Sequence, residues 1–159
     1  MRLALYQPDI AQNTGTILRL CACLGVAVDV IGPTGFDMSD RALKRAALDY
    51  LDHVDLTRHA SFSDFINSRT PNENRRQGGR LVLLSAHAET PHYKFVFDPS
   101  DTLMLGRESA GVPESVHSLA DARITIPMRA GLRSLNVAVT AALVLGEALR
   151  QTGGFPSHS

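Results

Sequence analysis

Short apolar blocks alternate along this chain with longer amphipathic stretches, and each change of period marks an element. Arg2 to Tyr6 reads as an apolar strand, broken by Gln7-Pro8-Asp9. Asn13 or Thr14 is placed to cap a helix running to about Leu24. Its apolar face is Ile17, Leu18, Leu20, Cys21 and Leu24, and Gly25 stops it. Val26 to Ile31 reads as a strand of a parallel sheet, buried on both faces. After the loop Gly32 to Gly35, Ser39 caps a second helix from Asp40 to about Tyr50. His53 to Leu56 reads as a short strand, and Ser61 opens a short helix holding Phe62, Phe65 and Ile66.

Ser68 to Gly79 is polar and rich in turn residues, so it reads as a loop. Leu81 to Leu84, Thr102 to Leu105 and Ile124 to Ile126 are three more apolar strands, with a less regular aromatic segment from Thr90 to Pro99. Strands alternating with helices predict an α/β fold, a mostly parallel sheet with helices on both faces, in one domain spanning residues 1–159.

The last helix stands apart. From Leu135 to Leu149 it is apolar almost all round, with Asn136, Thr140 and Glu147 as exceptions. Such a helix needs cover on every side. The sheet covers one side, and a second copy of the chain is the simplest cover for the other, so a homodimer is expected. The stretch is too short to cross a bilayer, and the N-terminus lacks a signal-peptide pattern, so no membrane partner and a cytoplasmic location are expected.

Composition narrows the chemistry. Lys plus Arg equals Asp plus Glu at 16 each, so any nucleic-acid partner must be held by local clusters. Three clusters stand out: Arg41, Lys44 and Arg45; Arg75, Arg76 and Arg80; and Arg129 with Arg133. Each also reads as a solvated face. Cys21 and Cys23 point in different directions on a helix and read as small core residues rather than a disulfide or metal pair. The six histidines show no metal-ligand spacing, and no phosphate loop or dinucleotide fingerprint is present.

Candidate chemistry gathers in three places. Gly106 follows a strand directly, where the missing Cβ admits a ligand or another backbone. It leads to Glu108 and then Gly111-Val-Pro113. Ile126-Pro127 ends the next strand. Ser134 reads as the cap of the long helix, and Asn136 as a buried amide in need of partners. Asn13 and Gly15 sit at a helix start, and Arg19 reads as a partly buried guanidinium that needs an anion, or as one arm of a surface pair with Asp9.

Together, Asn13-x-Gly15 with Arg19, Gly106-x-Glu108-x-x-Gly111-x-Pro113, and Ile126-Pro127-Met128 followed by Arg133-Ser134-Leu135-Asn136 resemble the three motifs of the SPOUT-class RNA 2′-O-ribose methyltransferases. Leu20-Cys-Ala-Cys-Leu-Gly25 and Arg45-Ala-Ala-Leu-Asp-Tyr50 are most similar to the minimal members, which methylate the wobble nucleotide of tRNA, cytidine or uridine.

The resemblance implies S-adenosylmethionine as methyl donor, no metal, the tRNA anticodon arm as partner, a homodimer, and a C-terminal trefoil knot that patterning alone argues against. It implies cofactor contacts at Leu84, Gly106, Ile126, Ser134 and Leu135. It gives catalytic roles to Arg19, Asn13, Glu108, Ser134 and Asn136, and RNA contacts to Arg41, Lys44, Arg45, Arg107, Arg129 and Arg133. Two departures bear on the RNA. Position 110 is Ala where wobble-methylating relatives more often carry Arg, and Arg107 stands where Pro is common. Methylation of another tRNA position or of rRNA, and a non-catalytic RNA- or nucleotide-binding module on the same scaffold, are the alternatives.

Overall fold

Alternation along the strands sets the layers. The structure is a computed structural model describing residues 1–39, 41–70 and 79–157. Strands β1 (Arg2–Tyr6), β2 (Ala27–Ile31), β3 (Leu56–His59), β4 (Leu81–Leu84), β5 (Thr90–Pro91), β6 (Thr102–Leu105) and β7 (Ala122–Thr125) form one sheet. Its order is β3-β2-β1-β6-β4-β7-β5. Every pairing is parallel, as the continuous apolar blocks predict.

Leu3, Leu5, Val28, Val30, Leu103, Leu105, Val82 and Ile124 share one face. They pack there on α1 (Ala11–Leu24), α2 (Arg41–Ala47) and α5 (Val137–Thr152), through Ile17, Leu18, Leu43, Val144 and Leu145. Ala4, Tyr6, Ile31, Leu83 and Met104 face the other way. They meet Phe65 of α3 (Phe62–Arg69) and Val116 of α4 (Glu114–Leu119). Helices therefore cover both faces, and each fully buried Leu, Ile or Phe contributes about 1.5–3 kcal/mol of transfer free energy.

Local expectations fare unevenly. Gly25 ends α1 in the left-handed conformation at φ 66°, and the Ser61 hydroxyl accepts the Asp64 N–H at 3.1 Å to cap α3. The start of α1 is corrected. Its N-cap is Ile10 with no side-chain cap, and Asn13 and Thr14 lie inside the helix. The Ser39 hydroxyl donates to Asp37 at 2.6 Å, and residue 40 lies outside the described residues.

The third strand is also corrected, from His53–Leu56 to Leu56–His59. The chain leaves α2 through a 3-10 turn, Leu48–His53, that uses up the residues in between. One charge inside β2 escaped the apolar reading. Asp29 is 5% exposed; it accepts from Arg2 at 2.7 Å and bonds His59 Nε2 at 2.8 Å, which locks β1, β2 and β3 in register.

The basic cluster at 75–80 splits. Arg75 and Arg76 lie outside the described residues. Arg80 is committed to Asp101 at 2.7 Å and to the Phe95 ring, so it serves the fold. Cys21 is buried, and its thiol is pushed up to about 12 by that burial, while Cys23 is exposed. No helix is long and apolar enough to cross a membrane among the described residues.

Gly15 has a packing reason. A Cβ there would lie 2.5 Å from the Leu43 carbonyl oxygen and 2.7 Å from Ala46 Cβ, so α1 and α2 touch backbone to backbone at this point. Gly15→Ala must push the two helices apart. The expected loss is about 1–3 kcal/mol in chemical denaturation, the usual cost of overpacking. Unchanged stability would mean that the contact is loose.

Candidate functional site

The C-terminal ends of β4, β6 and β7 lie side by side, where open parallel sheets bind ligands. A cavity of about 680 Å³ sits there, within the range of small-molecule sites. Its walls come mainly from the three expected places, joined by the turn Ser85 to His87 after β4 and by His117 of α4. They are the strand ends Leu84, Leu105 and Ile124; the turn Gly106 to Val112; the segment Ile126 to Asn136; and Ile10 and Asn13 at the start of α1.

Gly106 is needed for backbone approach, though the partner is the protein itself. A Cβ would lie 2.8 Å from the Gly111 carbonyl carbon. Arg107 and Gly111 exchange backbone hydrogen bonds at 3.1 and 2.8 Å, and Gly111 takes φ 64°, so the turn closes tightly and aims Glu108 at the cavity.

One chain of hydrogen bonds joins the three places. Asn136 Nδ2 donates to Asn13 Oδ1 at 3.0 Å, and Asn13 Nδ2 donates to Glu108 Oε1 at 3.4 Å. Glu108 Oε2 accepts the Asp9 N–H at 3.0 Å, and Asp9 Oδ1 accepts the Glu108 N–H at 3.1 Å. The Ser109 hydroxyl donates to the other Asp9 oxygen, and Arg107 Nε lies 3.8 Å from it.

Two acids thus stand together, and their proton affinities diverge. Burial, then Asp9 beside it, pushes the Glu108 carboxyl above its ordinary value. Hydrogen bonding with the Glu108 side chain, then with Ser109 and the backbone N–H groups, holds Asp9 down at about 2. The pair carries one firm negative charge, on Asp9, and one carboxyl that holds its proton more tightly than usual.

Each residue named from the sequence can now be placed. Leu84, Gly106, Ile126, Ser134 and Leu135 line the cavity, as do Asn13, Glu108, Asn136 and Arg107. The cap of α5 is Asn136 and not Ser134. Its Oδ1 accepts from the N–H groups of Ala138 at 2.8 Å and Val139 at 3.4 Å, and the residue is exposed, not buried.

Arg19 is the exception. It is exposed on α1, lies outside the cavity walls, and makes no pair with Asp9; its guanidinium carbon lies over the Tyr50 ring, 5.2 Å from the centroid. Arg41, Lys44 and Arg45 are exposed on α2, and Arg129 and Arg133 are exposed on the segment before α5. Sequence reasoning took Asp9 as a strand breaker and a possible surface partner of Arg19, and gave no site role to it or to His87 and His117, the last two of which line the cavity. Only Asp9 carried a signal: an acid directly after the strand-breaking Gln7-Pro8.

Residues 1–146 match the SpoU rRNA Methylase family. The chain belongs to that family. A protein of Beijerinckia indica subsp. indica named tRNA (cytidine(34)-2′-O)-methyltransferase is 60% identical over 151 residues, covering 95% of this chain and 91% of its own. The Escherichia coli K12 protein of the same name is 36% identical over 155 residues, covering 96% and 94%. A solved structure described as giving insights into the 2-OH methylation of C/U34 on tRNA superposes with TM-score 0.86 at 41% identity, covering 94% of each chain. The SpoU methyltransferase AviRb of Streptomyces viridochromogenes, in complex with the cofactor AdoMet, superposes with TM-score 0.85 at 28% identity, over 95% of this chain and 57% of that one.

For a SpoU-family cavity, the acid pair offers a direct test of the geometry. The folded-state value of Asp9 lies below the ordinary 3.8, so this residue adds stability that is present above 3.8 and lost as the pH falls to about 2. The melting-temperature advantage of wild type over Asp9→Asn should therefore shrink across that window. A constant gap would mean that the charge does not hold the turn.

Proposed function

We propose that this chain transfers a methyl group from S-adenosylmethionine to the ribose 2′-oxygen of the wobble nucleotide of tRNA, cytidine or uridine 34. The observation that carries the reading is the convergence of Asn13, Glu108 and Asn136 on one cavity through one hydrogen-bond chain, with the cofactor positions beside it. The relatives' names and the AdoMet complex of a family member point the same way.

The cavity suits the donor. Leu84, Ile126 and Leu135 form an apolar slot for adenine, and the backbone at Gly106 and Ser134 offers hydrogen-bonding groups along it. Once bound, S-adenosylmethionine supplies a methyl group on a positively charged sulfur. The negative Asp9–Glu108 pair complements that charge, and Asn13, Ser134 and Asn136 shape the space for the ribose.

A guanidinium stays protonated, so Arg19 is no base. Its role in this reading is to orient the 2′-hydroxyl and an adjoining phosphate and to stabilise charge developing on the oxygen. Arg107 lines the cavity beside Asp9, and in this reading it takes the phosphate contact of the Arg missing at position 110. Arg41, Lys44, Arg45, Arg129 and Arg133 remain exposed for the anticodon arm.

Because Arg19 lies outside its own cavity, we place it at the cavity of a second copy. Val139 at 48% exposure and Leu143 at 46%, one turn apart, form an open apolar stripe on α5, and α5 packs beside α1. Gln12, Thr16, Arg19 and Cys23 form the neighbouring exposed stripe on α1. A homodimer built on both stripes covers the apolar one and carries Arg19 to the interface. The trefoil knot belongs to the same reading, supported by the insertion of β6 between β1 and β4 and by the meeting of the turns after β6 and β7. So does a cytoplasmic location, where tRNA is processed.

Labelled methyl transfer to unmodified total tRNA, with the product nucleotide mapped, tests the reaction. Label at the wobble ribose is expected. Label elsewhere moves the target, binding of S-adenosylhomocysteine without label points to a missing prior base modification or an rRNA substrate, and neither label nor binding favours a non-catalytic module. Arg19→Ala should bind S-adenosylhomocysteine normally and lose turnover. Val139→Glu with Leu143→Glu should give a monomer with little activity; a fully active monomer would refute the shared site.

A further inference from the structure

Arg19 is held in an unusual way for an exposed cation. Among the described residues it has no carboxylate in ion-pair range and no hydrogen bond. Its contact is the Tyr50 ring, with the guanidinium carbon 5.2 Å from the ring centroid. A salt bridge would consume N–H donors and neutralise the charge. A ring face holds the cation electrostatically and leaves all five N–H groups uncommitted.

The backbone is bent to bring Tyr50 there. Helix α2 stops at Ala47, and Leu48 takes φ 53°, a left-handed value unfavourable for a branched side chain. The Leu48 side chain is not repaid by burial, since it is 49% exposed. The reversal starts the 3-10 turn Leu48–His53, which packs against α1 and sets half-buried Tyr50 beside Arg19. Leu48 and Gln7 are the two non-glycine residues with positive φ among the described residues, and strain of this kind clusters at features held for use.

We propose that Tyr50 is the positioning residue of Arg19: its ring fixes the guanidinium plane and leaves the N–H groups free for the ribose and phosphate oxygens of the substrate nucleotide. This rests on the role given to Arg19 above. An arginine side chain free in solvent samples many rotamers, and one pinned on a ring loses less freedom when it binds.

The test is steady-state methyl transfer to tRNA by the full chain, comparing wild type with Tyr50→Phe, Tyr50→Leu and Arg19→Ala. Tyr50→Leu should lower kcat about tenfold, in the range of a partly desolvated cation–π contact, with KM for S-adenosylmethionine within about twofold. Tyr50→Phe keeps the ring and should restore wild-type kcat. The Arg19 side-chain Nε–H resonance separates positioning from packing. The ring should shift it upfield in wild type and in Tyr50→Phe, and the shift should vanish in Tyr50→Leu.

Tyr50→Leu at wild-type kcat, with Arg19→Ala inactive, would overturn the positioning role and leave the catalytic one standing. Arg19→Ala at wild-type turnover would overturn the reading beneath it. Equal losses in Tyr50→Phe and Tyr50→Leu would assign the effect to the hydroxyl and overturn the role of the ring. If Tyr50→Leu does not fold, an unshifted Arg19 resonance in wild type overturns the proposal by itself.

Discussion

Everything at the sheet edge depends on one constraint: Asn13, Asp9, Glu108 and Asn136 must satisfy one another. The links between them span 95, 99 and 123 residues of sequence. Each bond is worth only about 1 kcal/mol net, so the chain of bonds adds little to overall stability. Its weight lies in arrangement. Polar side chains gathered in a half-buried network are specific in arrangement because each needs its partner, and this set pairs only if the turn after β6, the segment after β7 and the start of α1 all sit where they do. The parallel sheet brings the three segments near one another, and the network makes them one surface.

The first helix illustrates how such a constraint overrides local preference. Asn13 has the chemistry of a helix cap, but its amide is spent on Glu108 and Asn136, and α1 begins at Ala11 without a side-chain cap. Asn136 resolves the same competition by dividing its amide. Oδ1 caps α5, and Nδ2 reaches Asn13. Nearest-neighbour reading assigns caps by residue type and position, so it favoured Ser134.

What was legible follows from what is local. Apolar blocks placed β1, β4 and β6. Gly25 and Ser61 stopped and started helices where their backbone chemistry requires, and the parallel sheet with two helical layers followed from the alternation. The boundary of β3 was not legible, because the 3-10 turn after Ala47 depends on a left-handed Leu48 that no propensity favours. Asp29 inside β2 was missed because its partners, Arg2 and His59, lie on two other strands. The cavity residues were legible through the three motifs taken together. The direction of Arg19 was not. It depends on the rotation of α1, which is set by the contact of Gly15 with Leu43 and Ala46 across to α2.

That rotation ties together two features that look unrelated in the sequence. One is a helix with too much apolar surface for a single chain to bury. The other is an arginine with no acid to pair with among the described residues. Gly15 and Arg19 are one turn apart, so turning α1 to bring Gly15 onto α2 sets Arg19 at the outer edge of that contact, exposed beside Tyr50. Among the described residues, the cavity is left with a firm negative charge on Asp9 and only Arg107, 3.8 Å away, to answer it. An acid pair so weakly countered favours a ligand that brings positive charge, and a free guanidinium on an uncovered face favours one that brings negative charge. A sulfonium donor and an RNA phosphate answer those two needs. In the homodimer proposed above, a second copy over the apolar stripe is the step that brings the two surfaces together.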